Sequence, residues 1–533
     1  MASTPKFRPS VPLAFRTAAL AVALSGCAAT LPAVAAELKI GLSSEVTTLD
    51  PHFFNSGPNI AFHHHLYDTL VDVDPEGRLI PALAESWRAI DDTTWEFKLR
   101  RGVKFHDGSE MTADDVLYSL DRPAQITASP GPFTSYTKPI VARQAVDRYT
   151  VRLKTTSAYG PLPLDLISIF IVSKKAAAKA TQEQFNSGAA AIGTGPFKLV
   201  NFRKGESIEI ARNDAFWGPK PEWDKVQFKV LASDAPRLAA LLAGDVDLIE
   251  AVPPADLAKL KGNPKVGLAQ HTTWRTLFWQ LDQFRDVSPF VTDKAGKPLA
   301  KNPLKDVRVR QAISKAINRQ ALVERTLEGL AQPASNLNSP GIFGYNAELK
   351  VEAYDPQGAK KLLADAGYPD GFGLTLHGPN NRYINDEQVV QTVAQFLNRV
   401  GIQAKVETQP LSVYFGKARA SDYSMAMLGW GSLASDFTLR SIVGTPNPDT
   451  GWGTWNWGKY SNPAVDKLVQ QALGSVDATK REDFARQAVK AAMSDYAVIP
   501  SHHQIATWAL RKGLNYKGRI DEFTYAYEVH SVR

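Results

Sequence analysis

Residues Trp95–Arg122 read WEFKLRRGVKFHDGSEMTADDVLYSLDR, a run that sets a strand, a tight turn and a capped helix in immediate succession. Trp95, Phe97 and Leu99 alternate with Glu96, Lys98 and Arg100, the two-residue period of a strand with one buried face. Gly102 breaks the run. The His106-Asp107-Gly108 turn then leads to Thr112, whose hydroxyl can cap a helix while Asp115, three residues on, closes a capping box. Val116, Leu117 and Leu120 give that helix its apolar face.

The same grammar recurs along the chain. Leu38–Gly41 and Thr150–Lys154 read as strands, and Gly193–Leu199 as a glycine turn entering another. Asp234 is expected to cap a helix with Pro236 in its first turn and Gly244 as its stop, followed by an alternating strand at Val246–Glu250. After residue 300, Asp306 begins a helix carrying Ala312, Ile313, Ala316 and Ile317. Asp355 and Pro356 open a second that stops at Gly367, and a third, with Val389, Val393, Phe396, Leu397 and Val400, ends at Gly401 and passes into the strand Ile402–Val406. Helices alternating with short strands indicate an α/β sheet, and 533 residues are too many for one core, so two or three lobes are expected.

Composition excludes some classes. With 44% hydrophobic and 22% charged residues the chain is globular. Its net charge of +7 includes Lys6, Arg8 and Arg16 near the start, and the other basic residues are scattered among acids, which gives no nucleic-acid groove. The first 36 residues read as an export signal: a basic segment ending at Arg16, the apolar run Thr17–Leu24, then small residues. Two ends compete, a lipidated Cys27 after Leu24-Ser25-Gly26 and cleavage at Ala36 after Ala33-Val34-Ala35; the second, favoured here, gives a free periplasmic protein. Cys27 is the only cysteine, so no intramolecular disulfide forms.

Catalytic motifs are missing: there is no GxSxG, HExxH or CxxC. Gly453–Lys459 has phosphate-loop spacing, but Tyr460 stands where a Ser or Thr would hold magnesium, and Trp455 and Trp457 would crowd the nest. His63-His64-His65 and His502-His503 lack metal-site spacing, since consecutive helical side chains diverge by about 100°. They read as surface or core histidines, and no metal or cofactor is expected.

The wording W-x-F-x-L-R-x-G-V-K-F-H-D-G, with Thr194–Phe197 (TGPF), Arg212–Trp217 (RNDAFW), Val309–Ile313 (VRQAI), Ala366–Pro369 (AGYP) and Tyr460–Pro463 (YSNP), resembles the solute-binding proteins of ABC importers, in the dipeptide, oligopeptide and nickel family (bacterial extracellular solute-binding proteins, family 5). The resemblance covers nearly all of the chain after residue 36. It implies an α/β, two-lobed periplasmic-binding-protein fold, type II-like and of the large cluster C type, with an extra subdomain on the first lobe. Lobe I would take 37–75, 190–285 and 498–533, the extra subdomain 76–189 and lobe II 286–497. It also implies a non-enzymatic monomer that captures a peptide or peptide-like ligand and delivers it to an ABC permease, with membrane contact only through the permease or a lipid anchor. A nickel chelate, haem, an opine or an oligosaccharide is the alternative ligand, and an exported hydrolase a remote alternative class. The Trp95–Arg122 stretch would lie in the extra subdomain, away from the cleft.

For the ligand, the resemblance points to Trp430, Gly431, Ser432 and Asp436 in the Gly-Trp loop, where an aspartate would pair with a peptide ammonium. Asp436 falls later than in dipeptide binders, and a helix-capping role for it stays open. Arg382, before a helix starting near Asn385, is the counterpart for a ligand carboxylate, because a guanidinium grips it with two parallel bonds; pairing with Asp386 or Glu387 is the competing reading. Trp274, Arg275 and Trp279 on a strand, and Trp452, Trp455 and Trp457 in a glycine-rich loop, divide between cleft and core, with Trp274 and Trp452 assigned to the cleft. Glu45 and Thr47 in the early loop add first-lobe polar candidates.

Overall fold

The computed structural model describes residues 36–532. The expected export segment, with Cys27, lies outside them; Ala36 is the first described residue, and its N–H donates to Asp224 (2.8 Å).

A mixed sheet of twelve strands runs through the molecule. Its middle is made by two long antiparallel strands, Val266–Leu281 and Ile499–Arg511. On one side of them the order continues through Leu248–Ile249, Glu37–Leu42, Lys225–Val230, Ser207–Arg212 and Phe197–Arg203; on the other it runs through Met425–Gly431, Gly373–Pro379 and Val291–Thr292. The register of the long pair shifts between Thr272 and Thr276. Bulges of this kind bend a strand and re-aim its side chains. Here the shift falls where Val266–Leu281 takes up Met425–Gly431 as a second neighbour, from Arg275 paired with Gly431 onward. Trp274 and Arg275 sit at that bend.

Each flank has its own apolar core. Leu38, Ile40, Phe197, Ile210, Val226 and Phe228 pack on one side, and Leu277, Ile313, Val389, Val393, Met425 and Met427 on the other. Trp279, 0% exposed, belongs to the second core. A further cluster lies under the helices Ser435–Ile442, Pro463–Leu473 and Ala478–Ser494.

The Trp95–Arg122 stretch forms the strand Thr94–Leu99 and the helix Ala113–Asp121. The strand lies inside a separate antiparallel sheet of four, in the order Ala84–Asp91, Thr94–Leu99, Thr150–Thr155, Ile140–Asp147. Trp95, Phe97 and Leu99 face Val116 and Leu120 of the helix in one core. Asp115 accepts the N–H of Thr112 (3.0 Å), as a capping box requires. The turn docks on the glycine segment downstream: His106 N–H donates to Gly193 O (2.8 Å) and Lys198 Nζ to His106 O (3.1 Å). A Cβ on Gly193 would come within 1.9 Å of the Leu66 carbonyl oxygen, so only glycine allows this approach.

The later helices begin at Asp306 and Asp355, whose carboxylates accept the N–H groups of Arg308 and Gly358. At the Asp234 helix the cap position falls to Ser233; Asp234 is the first helical residue and turns its carboxylate to Arg237 (2.6 Å). The strand after it is shorter than the alternation suggested, Leu248–Ile249, because only these two residues pair with both Glu37–Leu42 and Ile499–Arg511.

Candidate functional site

A cavity of about 1000 Å³ opens between the two flanks of the sheet. It is lined from the first flank by Ser43, His64, Glu250 and Thr524, from the bend by Trp274 and Arg275, from the second flank by Arg382, Tyr383, Gly431 and Ser432, and from the 76–189 region by Tyr136 and Asp165. No residue of the Trp95–Arg122 stretch lines it.

Arg382 stands on a short loop before the helix Asp386–Asn398. The competing carboxylate, Asp386, accepts the backbone N–H groups of Arg382 (2.8 Å) and Tyr383 (3.0 Å), so it fastens the loop and leaves the guanidinium to the cavity. The Arg382 side chain lies over the Tyr383 ring at 5.1 Å and has no carboxylate within 4.0 Å among the described residues. Arg382 is exposed at the cavity wall, yet partial desolvation by the protein around it, then the nearby positive Arg275, hold its pKa below the ordinary arginine value. Tyr383 ties the loop to the neighbouring strand: Gly429 N–H donates to its hydroxyl (2.9 Å), and the ring packs where a Cβ on Gly429 would stand 2.6 Å from it.

Trp274, Arg382, Gly431 and Ser432 thus meet at one cavity. Arg275 joins them, bound through two nitrogens to Glu522 (3.1 and 2.7 Å). Burial opposes the charge on Arg275, but the Glu522 carboxylate more than offsets this and raises its pKa.

The remaining candidates lie elsewhere. Asp436, 0% exposed, binds Arg481 in a two-pronged pair (2.7 and 3.1 Å) and accepts the Phe437 N–H (2.8 Å). The carboxylate is committed to the protein. Neither does it cap the helix Ser435–Ile442, whose cap residue is Ala434. Trp430 packs between Phe437 and Trp455, at 6.2 and 5.7 Å between ring centres. Trp452 is half-buried and bridges to Asn447. Thr47 is engaged with Asn59 through its N–H (2.9 Å) and hydroxyl (3.3 Å), while Glu45 is exposed on the surface beside Gly205.

The three consecutive histidines diverge. His63 Nε2 meets Thr48 O (3.0 Å), His65 accepts the Ala526 N–H (2.9 Å), and only His64 reaches the cavity. Burial, then the Arg519 charge, push His64 down to about 3, so at neutral pH it is an uncharged hydrogen-bonding group. No group of three or more metal-ligating side chains occurs among the described residues.

Sequence reasoning missed the C-terminal Asp521–Tyr525 segment, Tyr383 and Asp165. Only Tyr383, adjacent to Arg382, carried a local signal. In Asp165 the Tyr159 hydroxyl donates to one carboxylate oxygen (2.7 Å), and burial pushes the group up to about 7.

A model of the bacterial extracellular solute-binding proteins, family 5, matches residues 78–447. The dipeptide-binding protein of Escherichia coli (strain K12) is 29% identical over 477 residues, covering 82% of this chain and 84% of that protein. Heme-binding protein A of Haemophilus influenzae is 27% identical over 475 residues, 84% of this chain and 83% of that one. The solved structure of the ABC transporter-associated periplasmic binding protein DppA from Helicobacter pylori, in complex with the peptide STSA, superposes with a TM-score of 0.71 at 25% identity, over 93% of this chain and 98% of that one.

Proposed function

The chain belongs to the family 5 bacterial extracellular solute-binding proteins of ABC importers, and we propose that the solute it carries is a short peptide or a peptide-like compound. Its fold is that of the periplasmic binding proteins, and it works by binding rather than by catalysis. The observation that carries the peptide reading is the Arg382 guanidinium, aimed into a cavity of about 1000 Å³ and left without a carboxylate of its own. Ligand pockets span roughly 300–1000 Å³, so this one is at the large end and holds a short peptide with its terminal carboxylate on Arg382.

In this reading lobe I (37–75, 190–285, 498–533) with its subdomain (76–189) closes on lobe II (286–497) about the bend at Trp274 and Arg275. Ligand contacts from both sides favour the closed population, which the membrane permease recognises. The protein acts as a monomer in the periplasm after cleavage at Ala36. Among the described residues no helix is long and apolar enough to cross a membrane.

Mass spectrometry of the ligand retained through purification, followed by calorimetry, tests the assignment. A peptide is expected, and Arg382→Gln should weaken it roughly 10- to 100-fold, the worth of a charge-assisted contact. A retained haem, metal chelate or sugar, or unchanged peptide affinity in Arg382→Gln, would refute it.

A further inference from the structure

The carboxylates around the cavity are not equivalent. Glu250 is saturated by the Ser43 N–H and hydroxyl (both 2.8 Å) and the Thr524 hydroxyl (2.9 Å). Asp234, Asp521 and Glu522 are paired with Arg237, Arg519 and Arg275. Asp72 takes the Val73 N–H (2.7 Å) and lies 3.9 Å from His64. Asp72 thus has only an uncharged imidazole beside it, but its side chain is 26% exposed; Asp165 lacks a charged partner while being far more buried. It is 8% exposed and has no cation within 4.0 Å; one oxygen takes the Tyr159 hydroxyl, and the other accepts no hydrogen bond among the described residues. That second oxygen is not sealed in the protein but opens to the cavity, where a donor or a cation can meet it.

Its surroundings fix which side it serves. Asp165 ends the short helix Leu162–Asp165 at the edge of the 76–189 region, where that region touches the far flank: Gly160 N–H donates to Leu473 O (2.9 Å), and Arg481 Nη1 to Gly160 O (3.3 Å). Arg481 is held by Asp436, and Arg440 lies over the Phe437 ring at 5.0 Å. Neither guanidinium forms an ion pair with Asp165. Within 4.0 Å, then, neither Arg382 nor Asp165 has a partner of opposite charge, although Arg440 and Arg481 act on Asp165 from farther off.

We propose that Asp165 receives the cationic group of the ligand while Arg382 receives its anionic group, so that the site selects zwitterions with a free amine. This rests on the peptide reading above. It also assigns the 76–189 region a part in recognition, since the ligand would touch that region as well as both flanks of the sheet. The titration of Asp165 is consistent with such a site. Burial raises it, and the groups facing it are Tyr159 and Tyr136 from its own region and Arg440, Arg481 and Asp436 from the helices opposite. An incoming ammonium favours the ionised carboxylate, so a fraction of a proton leaves on binding near neutral pH.

The test is calorimetry on the full chain freed of its native ligand, with alanine homopeptides of two to four residues, each free and N-acetylated. Wild type should bind a free peptide at least about tenfold more tightly than its acetylated form. Asp165→Asn, which keeps an acceptor for Tyr159, should lose that preference by weakening only the free peptide. Wild type should also release roughly half a proton with the free peptide at pH 7, read from two buffers of different ionisation enthalpy, and none with the acetylated one; this readout stands even if the variant does not fold. Equal weakening of both forms would make Asp165 a contact between regions, and no weakening of either would remove it from the site; both outcomes overturn the proposal. Wild type binding none of the peptides would instead refute the peptide reading, and this proposal with it.

Discussion

Replacing Asp436 by alanine should destabilise the protein without being a direct lesion in ligand binding. The carboxylate is 0% exposed and Arg481 is 7% exposed, with two bonds of 2.7 and 3.1 Å between them. Removing Asp436 leaves a guanidinium buried with only the Gly160 carbonyl as partner (3.3 Å), and breaking a buried pair from one side costs about 3–5 kcal/mol. If the surrounding helices unfold as a block of roughly 200 residues, each kcal/mol moves the midpoint by about 2 °C, which gives a fall of about 6–10 °C. Replacing both partners, as Asp436→Leu with Arg481→Met, should recover much of the loss, since no charge is then stranded. Scanning calorimetry and urea unfolding of Asp436→Ala, and of Asp436→Leu, Arg481→Met and the double variant that combines the last two, measure the loss and the cycle. An Asp436→Ala protein that melts like wild type but has lost its peptide affinity would refute the reasoning and return the carboxylate to the ligand.

Two further outcomes follow from the geometry. Tyr383→Phe removes the hydroxyl that holds Gly429, so the loop bearing Arg382 loses its tether to the strand; a stability cost of about 1–2 kcal/mol with a several-fold weaker peptide affinity in calorimetry is expected, and unchanged affinity would mean the loop is held otherwise. Seven histidines, the buried His52, His63, His64, His65, His502 and His503 and the half-buried His106, are pushed down to about 3–4, chiefly by desolvation. Each is protonated in the unfolded chain below about pH 6.5 but stays neutral in the fold, so its contribution is present above that pH and lost as pH falls toward 4. Burial lifts Asp68, Asp165 and Glu528 to about 6–7, and they act in the opposite sense over the same range, but they are three against seven. The melting temperature should therefore fall between pH 6.5 and 5, and a rise over that interval would show that these histidines are not neutral in the fold.

What the sequence discloses here follows the range of the interactions. The strand, turn and helix of Trp95–Arg122 are legible because every determinant, alternation, glycine and capping box, lies within a few residues of its effect. Arg382 is legible for a similar reason, since the loop it occupies is fastened by Asp386 four residues away. The Gly-Trp loop is only half legible. Successive residues of the strand Met425–Gly431 project to opposite faces, so Gly431 reaches the cavity while Trp430 turns toward Phe437 and Trp455. No local pattern states which of the two faces is the inner one.

Asp436 and Asp165 illustrate the long-range case. The partner of Asp436 is Arg481, 45 positions on in another helix, and without that guanidinium a buried loop aspartate and a ligand-binding one look the same in sequence. Asp165 belongs to no motif at all. It matters because Gly160, at the head of its turn, approaches so closely that a Cβ there would fall 1.9 Å from the Ser475 carbonyl oxygen, which draws the 76–189 region against the far flank and buries the carboxylate at the cavity wall. Family wording is thus carried by local structure, whereas the charge pattern that selects a ligand is set where distant segments meet, and two relatives that share every signature can still present different poles to their ligands.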